Sequence, residues 1–294
     1  ETFTSNAKLG TETDGVITSG YWGTVFSYNE FRSDANTLLL LHGNKGDIAT
    51  QFTDSSSNGY TISATGTATQ STAQKKWGTS SMLFDGDSDY LSCSHSDWDA
   101  GFGTGDLTVE AWVRFNDHAP SQCIISKGGA GWGGTDYDGW QLTKHSNDRL
   151  YFYGRQGGTS REMYTTSALS WSDDTWYHFA ATKDSTDTFY IYRDGVSQAL
   201  TGTNPDSTSL TTDASVDLLI GAQPWGGGGL FFGGYIEEVR ISDSCRYPDG
   251  TTFTPNPTVT GDSATATLIQ SANAVTGTRT EVGGTMLYAD NEGT

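Results

Sequence analysis

The run LTVEAWVRF (residues 107–115) places Leu107, Val109, Ala111, Val113 and Phe115 on one side and Thr108, Glu110, Trp112 and Arg114 on the other. A side-chain period of two belongs to a strand with one face turned to a core. Shorter runs of the same character recur: TLLLLH (37–42), YTISA (60–64), SMLF (81–84), YLSC (90–93), CIIS (123–126) and WQLTK (140–144). They continue with LYFY (150–153), WYHFAAT (176–182), TFYIYR (188–193), DLLI (217–220) and YIEEVRI (235–241). Turn residues punctuate them. Asp194-Gly195 follows TFYIYR and predicts a two-residue hairpin, and Asn147-Asp148 separates WQLTK from LYFY in the same manner. A dozen short strands with scarcely a helical stretch between them predict an all-β chain folded as an antiparallel two-sheet sandwich.

Composition narrows the partners. The 294 residues carry 16 Lys and Arg against 35 Asp and Glu, a formal charge of −19. So acidic a chain repels polyanions and offers no basic patch for phosphates, which excludes nucleic acid. The longest apolar run, residues 38–41, is far below the ~20 residues of a membrane helix, so no membrane insertion is expected. Aromatic residues reach 12%, which a disordered chain would not carry. Cys93, Cys123 and Cys245 lack metal-type spacing, and their odd number leaves at least one thiol free. Cys93, inside YLSC, reads as a small buried hydrophobe.

Pro248, Pro255 and Pro257 fall just after the last strong strand and mark a linker. The chain therefore divides into an N-terminal docking extension (1–36), the sandwich (37–255), and a linker with a β-type tail (256–294). Each flank is too short to bury a core of its own, so each docks elsewhere or, for the tail, begins a further module.

Taken in order, TLLLLH, FTDSSSNGYTISATG (52–66), KKWGTSSMLFDGDSDYLS (75–92), GTGDLTVEAWVRF (103–115) and DTWYHFAATKD (174–184) resemble the laminin-G-like branch of the concanavalin A-like lectin/glucanase superfamily. FYIYRDGV (189–196), LLIGA (218–222) and GYIEEVRISDSCRYPDGTTFTP (234–255) extend the resemblance. It implies a jelly-roll sandwich. The closing string RISDSCRYPDGTTFTP (240–255) resembles modules in structural proteins of tailed bacteriophages, and the tail from Thr265 is similar to the start of a β-module that follows them. That likeness implies a lectin-like structural protein at the virion surface, as capsid decoration, tail or fibre. Its partners would be other virion proteins, copies of itself and a host-surface glycan. The alternative is a carbohydrate-binding module of a secreted bacterial enzyme or adhesin.

Glycoside hydrolysis needs two carboxyl groups ~5–10 Å apart across the scissile bond. Glucanases of the superfamily carry them in Glu-x-Asp-x-x-Glu or Glu-x-Asp-x-Glu strings, and this chain has neither. Glu110 stands alone on its strand, and the adjacent Glu237 and Glu238 are expected on opposite sheet faces. No Gly-x-Ser-x-Gly elbow accompanies His42, His95, His118, His145 and His178, which read as structural or exposed. The expectation is no catalysis, with a depolymerase acting through Glu110 or Asp87 as the remaining enzymatic reading. For a metal, Asp54 and Asn58 lie where relatives carry Asp-x-Ser-Gly-Asn, and Glu237 stands at the Asp of their Ile-Asp-Glu-Val-Arg-Ile. Those three residues nominate a structural Ca2+ site, and a chain without metal is the equal alternative. The first strand of relatives usually ends in an acidic residue, where this chain has His42. Sugars stack CH faces on aromatic rings and bond through hydroxyls. Two Gly-rich loops, 128–139 and 221–234, offer Trp132, Asp136, Tyr137, Asp138 and Trp225 for carbohydrate, or equally for subunit contacts. Trp112, Trp140 and Trp176 belong to strand motifs and are expected in the core.

Overall fold

The computed structural model describes residues 16–17, 26–28, 30–44, 50–94, 105–128, 139–156, 159–205, 216–223, 229–255 and 259–260. Alternating apolar runs become strands β1 (Val16–Ile17), β2 (Phe26–Tyr28), β3 (Thr37–Leu41), β4 (Ser63–Thr65), β5 (Thr69–Ser71), β6 (Ser81–Asp85), β7 (Tyr90–Cys93), β8 (Leu107–Phe115), β9 (Gln122–Lys127) and β10 (Gly139–Lys144). The chain continues through β11 (Leu150–Gln156), β12 (Thr159–Thr165), β13 (Trp176–Lys183), β14 (Phe189–Arg193), β15 (Val196–Ser197), β16 (Leu200–Gly202), β17 (Leu218–Ile220), β18 (Gly233–Ser242) and β19 (Val259–Thr260). Among the described residues the helical content is one 3-10 turn, Pro248–Gly250.

Two compact units result. One comprises Glu1–Asn29 with Thr258–Thr294, and the other Glu30–Pro257. In the first, β1, β2 and β19 form a three-stranded sheet, so the two flanks of the chain pair with each other. The second is an all-β sandwich of two eight-stranded antiparallel sheets. The β8 sheet runs β15-β14-β13-β8-β18-β6-β5, with β3 also paired to β18, and the β10 sheet runs β16-β12-β11-β10-β9-β17-β7-β4.

The core lies between them. Leu107, Val109, Ala111, Val113 and Phe115 of β8 all join it, as their spacing predicts. The Phe115 ring sits 5.3 Å from Phe232 and 6.2 Å from Phe179, and on the opposite sheet Trp140 stacks on Phe152 at 5.9 Å. Cys93 is buried in the core as a free thiol. Trp112 and Trp176 depart from expectation. Their phase is that of Glu110, so they leave the core side and join a separate outer cluster with Phe31, Leu40 and Trp77.

Strand β18 carries the main irregularity. Residues 233–236 pair with β6, the part from Val239 onward pairs with β3, and β8 follows its other edge throughout. The register to β8 slips between Glu237 and Arg240, and Glu238 there adopts φ 53°. This is a β-bulge. It corrects the alternation expected from sequence: Ile236 and Val239 both face the core, so Glu237 and Glu238 leave together on the outer face.

The Asp194-Gly195 hairpin forms as predicted, with φ 53° and 76° at its two central residues joining β14 to β15. Both angles are left-handed, the requirement of a type I′ turn. A Cβ on Gly195 would also collide with the Phe253 carbonyl oxygen. Gly195→Ala is expected to lower unfolding free energy by about 1 kcal/mol or more in urea titration.

Candidate functional site

The loop residues nominated for carbohydrate, Trp132, Asp136, Tyr137, Asp138 and Trp225, lie outside the described residues. Their anchors are described. The first loop leaves β9 at Lys127 and returns at Gly139, opposite Trp140's partner end of β9. The second leaves β17 beside the other end of β9, where Gly221 N donates to Ile124 O and Cys123 N to Leu230 O. The two loops thus spring from opposite ends of one strand.

Each nominated metal ligand makes contacts of its own within the protein. Asp54 is buried and accepts from the amides of Leu40 (3.0 Å), Ser56 (2.9 Å) and Tyr60 (2.9 Å) and from the Ser56 hydroxyl (2.7 Å). Asn58 turns its Nδ2 to Leu38 O at 3.0 Å. Glu237 accepts from the amides of Lys76 (2.6 Å) and Trp77 (2.7 Å). Among the described residues, ligand atoms of Glu30, His42 and Glu238 converge, all within 4.8 Å of one another. His42 Nδ1 is 2.7 Å from Glu238 Oε1, Phe31 N donates to Glu238 Oε2 at 2.5 Å, and Asn44 Nδ2 donates to Glu30 Oε1 at 2.5 Å. Burial pushes the Glu238 carboxyl up to about 7, against the pull of His42 and with a further push from Glu30. Burial also raises Glu237 well above the carboxylate range, with the Glu238 charge adding to the shift and the Lys76 and Trp77 amides opposing it. Two neighbouring acids with one imidazole make a donor set suited to a divalent cation. An imidazole fits zinc or manganese better than calcium, which prefers oxygen alone.

The buried Glu110 has another fate. Its Oε1 accepts from Arg240 Nε (2.8 Å) and pairs with Nη2 (2.7 Å), and its Oε2 accepts from Tyr247 Oη (2.7 Å) and lies 3.1 Å from His178 Nε2. Burial alone would raise its pKa, but Arg240, His178 and Tyr247 bring it down to about 2. A carboxylate so held cannot donate a proton at neutral pH. Asp87 is an exposed member of a turn in which its own amide bonds Asp85 Oδ1 at 2.9 Å.

The outer face of the β10 sheet is different in kind. Trp140 and Leu142 point into the core, so Gln141 and Thr143 take the outer side. Register extends this into two rows: Gln141 opposite Tyr153 opposite Glu162, and Thr143 opposite Tyr151 opposite Tyr164. The Tyr151 ring stacks on Tyr164 (4.6 Å, 18°) and on Tyr153 (5.4 Å, 12°), and the His145 ring lies 4.2 Å from Tyr151. Burial keeps the Tyr153 phenol protonated, while burial and Lys144 keep the His145 imidazole neutral. The phenol lies 2.8 Å from His145 Nε2 and also bonds the Glu162 carboxylate. Asn147 Nδ2 donates to Tyr151 Oη at 2.8 Å, and the Arg149 guanidinium lies 5.5 Å from the Tyr164 ring centre. Gln141, only 4% exposed, keeps Oε1 without a hydrogen-bond partner. The alternation of Tyr151 and Tyr153 about Phe152 was a signal available in LYFY; Tyr164 sits in TSREMYT, which has no apolar period.

Residues 84–249 match the family profile described as the concanavalin A-like lectin/glucanases superfamily, Laminin_G_3. The chain belongs to this superfamily. No curated protein matches it. Among solved structures it is similar to the binding domain of botulinum neurotoxin serotype C1 (TM-score 0.53, 13% identity, 73% of this chain and 50% of that one). The binding domain of botulinum neurotoxin DC in complex with rat synaptotagmin II is similar at TM-score 0.52 and 12% identity, over 71% of this chain and 48% of that one. A third is botulinum neurotoxin type C, whose cell entry depends upon interaction with two ganglioside molecules (TM-score 0.52, 13% identity, 73% and 49%). At these identities the likeness is one of fold, and the chain spans about half the length of each of these structures.

Two outcomes follow from the charged groups. Glu110 has a folded pKa of about 2 against an ordinary 4.5, so its contribution to stability is complete above pH 4.5 and is lost as pH falls toward 2. Glu110→Gln should start from lower stability and flatten that acid limb in denaturation curves; an unchanged limb would refute the assignment. Zn2+ or Mn2+ should raise the Tm of the wild type by a few degrees and leave a His42→Ala/Glu238→Gln double variant unmoved, as scanning calorimetry can read.

Proposed function

We propose that the sandwich is a non-catalytic glycan-binding module of an extracellular bacterial protein. The observation that carries this reading is the stacked row of Tyr151, Tyr153 and Tyr164 on the outer face of the β10 sheet, flanked by Gln141 and Glu162. Tyr153 and Tyr164, the partly exposed rings stacked on either side of buried Tyr151, supply apolar contacts for a pyranose, and the flanking groups supply hydrogen-bond partners for its hydroxyls. The commitment of Glu110 to Arg240 supports binding over hydrolysis. Trp132, Asp136, Tyr137, Asp138 and Trp225 are assigned as additional contacts from the loops at the two ends of β9. The Glu30–His42–Glu238 group belongs to the other sheet, so a cation there, Ca2+ included, serves the fold and not the sugar.

Similarity to toxin binding domains favours the secreted module over the virion component. The virion reading, with capsid or tail proteins as partners, retains the support of the closing string at residues 240–255 and of the tail from Thr265. A glycan array with the full chain should give specific signals, and Tyr151→Ala combined with Tyr164→Ala should weaken them about tenfold or more. Incubation with the recognised polysaccharide should release no new reducing ends. A blank array, with and without divalent cations, would overturn the reading.

A further inference from the structure

We infer that the position above Tyr153 takes an uncharged sugar unit, and that Gln141 selects it. The inference rests on the glycan-binding reading and adds the chemical class of the ligand at one defined place. Along the row Gln141–Tyr153–Glu162 the ring lies between two hydrogen-bond acceptors, the Gln141 Oε1 and the Glu162 carboxylate. Cross-strand neighbours stand ~5 Å apart, so a ring seated on Tyr153 reaches both at once. Such a ring must bring donors on both sides. Hydroxyls do this, and so does the N–H of an acetamido group. A carboxylate, sulfate or phosphate has no proton to give at neutral pH and would face Glu162 directly.

Gln141 supplies the independent pointer to a ligand. Its side chain is almost wholly buried on the non-core face, yet Oε1 has no partner. Buried acceptors are nearly always satisfied, so an unmet one beside an aromatic platform marks where a donor arrives. The Tyr153 hydroxyl does not fill this role, because it is engaged with His145 Nε2 and with Glu162. His145 is held neutral by burial and by Lys144, and therefore offers no cation to an anionic sugar at this position. Arg149 sits over Tyr164 in the neighbouring row. A site built to bond a hydroxyl discriminates strongly, because a ligand lacking it leaves the buried group unpaired.

The test uses the full chain in isothermal titration with neutral probes (cello-, xylo- and manno-oligosaccharides and chito-oligosaccharides) and anionic ones (oligogalacturonate and sialyllactose). Neutral probes should bind, and anionic ones about tenfold more weakly or not at all. Gln141→Leu should cut affinity for the neutral probe about tenfold while leaving Tm unchanged or raised, since it removes an unmet polar atom. A purely structural glutamine would show the reverse pattern. Should Gln141→Leu lower Tm, the exposed Glu162→Ala decides: a loss of about threefold or more supports the site, and no change overturns it. Anionic probes binding as tightly as neutral ones overturn this inference and leave the glycan-binding reading standing. So does full affinity in Gln141→Leu with binding lost in Trp132→Ala or Trp225→Ala. Absence of binding by every probe overturns both.

Discussion

The sandwich depends on how β18 shares its two edges. One edge is spoken for by β8 along its whole length, while the other passes from β6 to β3 partway. The bulge at Glu238 falls at that handover, and a left-handed residue there bends the strand without exposing Ile236 or Val239. Its by-product is a pair of buried acids side by side. Each is put to use as an anchor for backbone: Glu237 holds the amides of Lys76 and Trp77, and Glu238 the amide of Phe31. The segments so held cover the outer cluster of Phe31, Leu40, Trp77 and Trp112. Two carboxyls in a dry place with raised pKa values are an electrostatic burden, and a cation at Glu30, His42 and Glu238 would relieve it.

Strands whose side chains meet the core were legible, because burial of one face imposes a period of two. β8, β10, β13 and β14 carry that period and emerge nearly at their expected bounds. Peripheral strands were not. β5 (TQS), β12 (TSREMYT) and β16 (LTG) are short or mostly polar, so their sequences hold no apolar alternation to read. The same reason explains the candidate sites. A two-residue rule sends Glu237 and Glu238 to opposite faces, and only the register slip against β8 reveals otherwise. Tyr164 becomes part of an aromatic row only through its pairing with Tyr151, a fact of register across a strand that local composition conceals.

The two outer faces have diverged in chemistry. Around Glu110 on the β8 sheet, charge is matched inside the protein: Glu110 meets Arg240, Tyr247 and His178, and Arg246 meets Asp34 at 2.7 Å. Tyr247 and Phe253 stack face to face at 3.6 Å over this network and keep water from it. On the β10 sheet, rings are stacked and the buried Gln141 Oε1 is left without a partner. Saturated partners make a surface durable and uninformative to a ligand. An open one makes it a recognition surface at some expense to stability.

The pairing of β3 with β18 has a consequence for how the chain comes into being. Leu41 finds its partner in Val239, almost two hundred residues downstream. Until that length has been synthesised, the strand TLLLL has no neighbour on its β18 edge and remains sticky. Loop-closure entropy on this scale makes folding slow, and the half-made protein spends its time with an apolar segment exposed. The acidic background around that segment then acts in the nascent chain, where like charges keep one unfinished copy from another.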